Sequence, residues 1–559
     1  MKIKLIPLLL STLKSKARAF ENATKDPVKY QKKALFEYLQ RNKNTEYGRK
    51  YGFANIKTVD DFKRNVPLSD YEKLRASIEK MASGGKNILT SDKVVFFGIT
   101  SGTTGEPKLI PVTRYSRGKK TELMKLWAYY ISKDHPDVYD AKVLAIISPE
   151  VKNHTKSKIP YGPEDGHAYN NLPKIIKDLY VLPYQVFSIK DYDARYYAIL
   201  RISMEQNVTT IATLNPSTIV LLCQRIEKIQ DDIIKDIEKG TLKKDLKIEP
   251  EIRKIIEKHL KPNPKRSSEL RRILMSGKPL YPKYFWPKLA LVECWKAGTV
   301  KLYLKDLPQY LGNVPYRDFG CLSTEARSAI PLSDEGTGSV LAINTNFYEF
   351  VPREEMGKKD MKTLLCDELK EGREYYLIVT TAGGLYRYNM DDVVKVDGFF
   401  NKTPVIEFVQ KGKNAVSLTG EKIYESHINE AVNKAVDRNK ISIKFFSSSV
   451  QMGSPDRYIF LVEFNSNPSA DEKRRLLLSI EEELCNQNSE YKDIREQQLL
   501  DHPILKVVKK GEFEKYRSKK ISEGRHDGQF KMPELVADPA FQKNFVIEEE
   551  IKDKKGGAV

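Results

Sequence analysis

The stretch that decides the reading is Phe97–Thr113, FGITSGTTGEPKLIPVT. It continues the apolar run Val94-Val95-Phe96, so a predicted strand passes directly into a loop. In that loop Thr100, Ser101, Thr103 and Thr104 alternate with Gly102 and Gly105, and Lys108 follows. Glycines permit positive φ and close backbone approach, so successive N–H groups can converge on an anion. The hydroxyls add donors, and the ammonium adds a point charge for phosphate oxygens. GxxxxGK[ST] is absent, so this is not a Walker loop. A Ser/Thr/Gly hairpin turn is the plainer alternative. Four hydroxyls, two glycines and a lysine behind an apolar strand favour a nucleotide phosphate site.

Outward from the loop, residues 25–85 read as helices, with Pro27–Arg41 and Ser69–Met81 the clearest. The second opens with Ser69-Asp70-Tyr71-Glu72, the spacing of a capping box. Downstream, KVLAIIS (142–148) and VTTIATL (208–214) suit buried strands, and each precedes a helical pattern or a proline turn. Such alternation predicts an α/β arrangement. Residues 223–272 form a charged helical stretch, and 318–410 is rich in strands. In Phe347-Tyr348-Glu349-Phe350 the period of two puts Tyr348 and Phe350 on one face, as wall rather than chemistry. The last 150 or so residues change to an α+β pattern, with a helix from Ser426, strands near 441–464 and an amphipathic helix at 470–486. Lys411-Gly412-Lys413 precedes that pattern as a hinge. The expected domains are 1–410 and 411–559.

The chain has 559 residues, 40% hydrophobic and 30% charged, a globular rather than disordered profile. Its net charge of +20 raises the question of a polyanionic partner. The segment 239–272 carries twelve Lys/Arg against five acids but no Phe, Tyr or Trp. That is a poor stacking platform, so nucleic acid is not expected as a partner. Five scattered cysteines contain no CxxC pair and fit a reducing, cytoplasmic setting without structural zinc. Leu5–Leu13 is broken by Pro7 and followed by Lys14, Lys16 and Arg18. It is too short to span a membrane, and a helix packed on the body is expected ahead of a signal peptide.

Set together, SGTTGEPKLIP (101–111), WPKLALVECWKAG (286–298), GNVPYRDFGCLSTEARSAIPL (312–332), GSVLAINTNFYEFVP (338–352), GGLYRYNMDDVVKVDGFF (383–400), LTGEKIYESHI (418–428) and GQFKMPEL (528–535) resemble the Gretchen Hagen (auxin-responsive) family of acyl acid-amido synthetases. The likeness is strongest to bacterial-type members and covers nearly the whole chain. It implies a large composite N-terminal adenylating domain, with α/β subdomains plus a β-rich barrel-like part, and a smaller mobile α+β C-terminal domain.

It also implies Mg-ATP and a carboxylic acid as reactants, with an amino acid or other amine as acceptor. Thr100, Ser101, Gly102, Thr103, Thr104, Gly105 and Lys108 then hold phosphates. Ser323-Thr324-Glu325 matches the second nucleotide motif. Thr324 would donate to the α-phosphate or the acyl carboxylate, and Glu325 would hold Mg²⁺. Asp392 would accept both ribose hydroxyls, and Lys531 would reach the acyl–phosphate oxygens from the small domain. Pro216-Ser217 reads as a helix start and, by the same resemblance, as acyl-pocket wall.

Three positions depart from the family pattern. Cys321 replaces an aromatic that often packs on adenine, leaving Phe319 as the expected substitute. Asp391 stands where Gly is common, and Asp adopts positive φ less readily. Glu534 stands where Arg often follows the proline. An acyl-CoA synthetase using the same first step, and a non-catalytic basic binding protein retaining the fold, are the alternatives. No feature of the sequence fixes an oligomeric state.

Overall fold

The computed structural model describes residues 11–99, 108–214, 216–297, 301–358, 360–412, 415–416, 418, 421, 423–453, 455–488, 491–492, 495, 500–523 and 530–553. Thr100, Ser101, Gly102, Thr103, Thr104 and Gly105 lie outside these residues, as do Leu5–Leu10, Gly298, Lys413 and Gly528. The chain divides into two compact units, Met1–Phe408 and Val409–Val559.

The described residues of the first unit form three sheets. Strands β1 (Val94–Ile99) and β2 (Leu109–Thr113) form the antiparallel hairpin that brackets the phosphate loop, with Ile99 opposite Leu109. Their sheet has the order β2-β1-β5-β4, where β4 is Asn153–His154 and β5 is Pro160–Gly162. A second sheet joins β3 (Lys142–Ala145), β6 (Val208–Ala212), β7 (Leu291–Glu293) and β8 (Tyr316–Arg317), each neighbouring pair parallel. Helices Tyr192–Ser203, Ser217–Lys239 and Lys301–Leu311 lie between successive strands along the chain. The apolar runs of β3 and β6 are buried, as parallel strands covered on both faces must be.

The third sheet runs β11-β12-β13-β14-β10-β9, from β9 (Ala329–Ile330), β10 (Ser339–Leu341), β11 (Phe347–Pro352), β12 (Glu374–Thr380), β13 (Tyr388–Phe400) and β14 (Thr403–Lys411). Strand β11 departs from the two-faced expectation. Tyr348 and Phe350 share a face as predicted, but Phe347 and Glu349 are equally buried on the other. Glu349 is tolerated there because Arg387 reaches it through Nε at 3.0 Å and Nη2 at 2.9 Å.

The N-terminal helices sharpen one boundary. The expected Ser69–Met81 helix runs Tyr71–Ala82, and its cap is Asp70, whose carboxylate accepts the Lys73 N–H at 3.0 Å. Ser69 is engaged elsewhere. Its N–H donates to the Arg387 carbonyl, its carbonyl accepts from the Asn389 N–H, and its hydroxyl donates to the Tyr386 carbonyl. Helix Lys14–Ala23 buries Ala17, Phe20 and Ala23. Among the described residues no helix is long and apolar enough to cross a membrane.

In the second unit, β15 (Ala415–Val416) pairs with β16 (Ile423–Tyr424). A separate sheet has the order β17-β18-β19-β20, built from β17 (Ile443–Gln451), β18 (Arg457–Phe464), β19 (Ile504–Val508) and β20 (Ile547–Ile551). Helices Glu425–Asn439 and Ala470–Gln487 pack on each other. The second begins with a reciprocal Ser469–Glu472 capping box.

Candidate active site

The hairpin places the ends of the phosphate loop, and the second motif sits against its base. A Cβ added to Gly98 would lie 2.5 Å from the Thr324 methyl, so the glycine is what lets the motif approach β1. The Thr324 hydroxyl donates to the Ile99 carbonyl at 3.2 Å. Helix Arg114–Asp134 leaves β2 through a Thr113–Ser116 capping box, which ties its first turn to the hairpin. Ser116, Lys120 and Leu123 line a narrow cleft that Thr324 and Glu325 also line. The Lys108 ammonium lies 5.6 Å from the Tyr71 ring centroid, and the Tyr71 hydroxyl accepts the Leu109 N–H at 2.9 Å.

The third motif forms a bulge in β13. Tyr376 pairs with Val393 and Ile378 with Asn389, so residues 390–392 are looped out of register. A bulge re-aims side chains at a sheet rim. Asp391 has φ +60°, so it adopts the left-handed conformation that Gly commonly supplies. Its N–H is braced by the Asn389 side-chain oxygen at 2.8 Å. Asp392 is buried beside it.

The motifs converge electrostatically. Burial pushes the Tyr388 hydroxyl upward, and the Glu325 carboxylate adds to that shift, with smaller contributions from Tyr71, Asp70 and Asp392. Burial also raises the Cys321 thiol, with Asp318 and Asp392 contributing. Phe319, the residue expected to pack on adenine, is 9% exposed and stacks on Trp127, with centroids 5.1 Å apart.

In the second unit the GQFKMPEL segment is anchored just beyond Lys531. The Ser448 N–H donates to the Glu534 carbonyl at 2.7 Å, and the Val536 N–H donates to the Ser448 carbonyl at 2.9 Å. Glu534, the residue in place of an arginine, is buried, and its N–H donates to Glu425 Oε1 at 3.1 Å. Lys531 itself is exposed.

The GH3 family N-terminal domain matches residues 16–316, its central domain 339–411 and its C-terminal domain 426–540. The chain belongs to the GH3 family. A jasmonoyl–L-amino acid synthetase, JAR4 of Nicotiana attenuata, is 27% identical over 92% of each chain. The indole-3-acetic acid-amido synthetase GH3.3 of Arabidopsis thaliana is 26% identical over 93% of this chain and 91% of its own. These two are plant proteins, so the bacterial-type expectation gains no support from them. The solved structure of the GH3.15 acyl acid amido synthetase superposes with a TM-score of 0.86 at 23% identity, covering 97% of this chain and 98% of its own. That likeness establishes the fold.

Two features of this GH3 chain were not singled out from its sequence. One is Lys120, which joins Glu164 to the second motif. Its only sequence signal is the spacing 116, 120, 123 on a helix that starts at the phosphate hairpin. The other is Glu293, at the end of β7. Burial pushes its carboxyl up to about 8, against the opposing pull of the Arg317 and Arg327 guanidiniums. Between the ordinary value of 4.5 and about 8, the folded chain keeps a proton there that the unfolded chain has lost. Stability therefore falls as pH rises through that window, by at most about 1.4 kcal/mol per pH unit, and levels off above it. Glu293→Gln should flatten this decline, so that thermal midpoints of variant and parent diverge in the variant's favour as pH rises. Parallel midpoint curves would refute the assignment.

Proposed function

We propose that this GH3 chain is an acyl acid-amido synthetase. A carboxylic acid attacks the α-phosphorus of Mg-ATP, giving an acyl-adenylate and pyrophosphate. The amine of an amino acid then attacks the acyl carbon, forming an amide and releasing AMP. The observation that carries the reading is the contact between Gly98 and Thr324, which seats the second nucleotide motif on the strand that feeds the phosphate loop.

The chemistry asked of the protein is positioning and charge stabilisation. Thr324 holds a hydroxyl at the base of the phosphate loop, and Lys108 offers an ammonium where β2 begins. Asp392 is assigned to the ribose, and Lys531 of the second unit to the acyl–phosphate oxygens. Among the described residues no three or more His, Cys, Asp or Glu side chains are grouped so as to hold a metal ion. Mg²⁺ keeps several waters and takes one or two carboxylates plus phosphate oxygens, so it would arrive with ATP and need a single carboxylate from the protein. Glu325 is the carboxylate assigned to it, and the ion supplies charge neutralisation on the phosphates.

The test is acid-dependent ATP–pyrophosphate exchange over aryl, indole and fatty carboxylates, followed by product analysis with an amino-acid pool or CoA. Exchange with at least one acid and an amide product is the expected result. A thioester in place of the amide would move the chain to the acyl-CoA synthetases. ATP binding without exchange for any acid would identify a non-catalytic relative.

A further inference from the structure

Lys120 projects from helix Arg114–Asp134 two turns beyond the hairpin. Its ammonium donates to Glu164 Oε1 at 2.6 Å, to Glu164 Oε2 at 2.7 Å and to the Thr324 carbonyl at 2.7 Å. An ammonium has three donors, and these contacts use all of them. One cation thus ties together the helix that follows β2, the residue two positions after β5, and the backbone of the second motif. The same junction is closed from below by Gly98, whose added Cβ would fall 2.5 Å from Thr324 and 4.0 Å from the Glu164 Cβ. Thr324 is therefore held at its hydroxyl by the Ile99 carbonyl, at its methyl by Gly98, and at its carbonyl by Lys120. The next residue is Glu325.

We propose that Lys120 is a positioning residue: by holding the Thr324 carbonyl it fixes the backbone from which Glu325 meets the Mg²⁺ of Mg-ATP. This rests on the proposed function above and extends it to a residue outside the nucleotide motifs. The competing role is local, with Lys120 merely neutralising Glu164 in a part-buried pair. The two roles separate in a double variant. Lys120→Met leaves Glu164 without its partner, whereas Lys120→Met/Glu164→Met removes the charge problem and still leaves the Thr324 carbonyl unheld.

The experiment is calorimetric ATP binding to the full chain across a Mg²⁺ titration, with thermal midpoints measured in parallel. Glu325→Ala serves as the reference for a lost metal ligand. Groups that orient a metal ligand typically contribute 10–100-fold to metal affinity, so Lys120→Met should weaken Mg²⁺ uptake by the ATP complex by roughly that factor. The double variant should regain thermal stability yet keep the weakened Mg²⁺ response, and Lys120→Arg should restore part of it. Recovery of the Mg²⁺ response in the double variant, or a wild-type response in Lys120→Met, overturns the role of Lys120 alone. Absence of ATP binding by the wild-type chain overturns the nucleotide site itself, and this inference with it.

Discussion

Glu325→Ala is expected to lower acid-dependent ATP–pyrophosphate exchange by roughly 10²–10³-fold, the range seen when one preorganised transition-state contact is removed. Glu325 is part-exposed at the cleft, next to a threonine fixed at three points. Removing its carboxylate leaves that scaffold in place, so thermal stability should change by no more than about 0.5 kcal/mol, as for a surface substitution. The loss should fall on the exchange rate and on its Mg²⁺ dependence together, while ATP binding without metal is retained. Lys531→Ala should lower the same exchange by a comparable factor from the second unit. Full exchange in Glu325→Ala would remove the carboxylate from the reaction and leave Thr324 as the motif's contribution.

Arg387→Met should have the largest effect on folding. Arg387 is 6% exposed, and its guanidinium meets both oxygens of the buried Glu349. It also donates to the Lys63 and Val66 carbonyls at 2.8 and 2.7 Å. Breaking a buried pair strands the remaining charge and typically costs about 3–5 kcal/mol. The variant should unfold well below the parent on heating, and the Arg387→Met/Glu349→Leu double variant should recover much of the loss. A variant as stable as the parent would show that water reaches Glu349.

This arrangement also divides the third motif by role. The Tyr386 hydroxyl donates to the Leu89 carbonyl, its ring stacks on Tyr47, and Arg387 spans to Glu349. Tyr386 and Arg387 are anchors, and they hold the bulge that presents Asp391 and Asp392. Because the Ser69 carbonyl and the Arg387 carbonyl join the same backbone bridge, the helix beginning at Tyr71 is set by the motif too. The displaced cap at Asp70 is the visible consequence.

Several of these features are legible along the chain because they depend on neighbouring residues. The strand that ends at Ile99 follows from the apolar run Val94–Phe97 in adjacent positions. The helix Ala470–Gln487 follows from a capping box and an apolar stripe. Asp391 shows the limit of local reasoning. Its side chain argues against a left-handed backbone, yet it adopts one because Asn389 and the flanking strand pairs brace the turn.

The sequence by itself determined the order of the motifs and the family they spell, since each is written in contiguous residues whose chemistry is local. Tertiary structure decided which of those residues meet. Phe319 stacks on Trp127, 192 positions earlier. Lys120 was not singled out in the sequence, and its ammonium reaches a carbonyl 204 positions away. The physical reason is the same in both cases. A buried ring or a three-donor ammonium is satisfied by whatever the packed fold brings within contact distance, and sequence spacing carries no record of that distance.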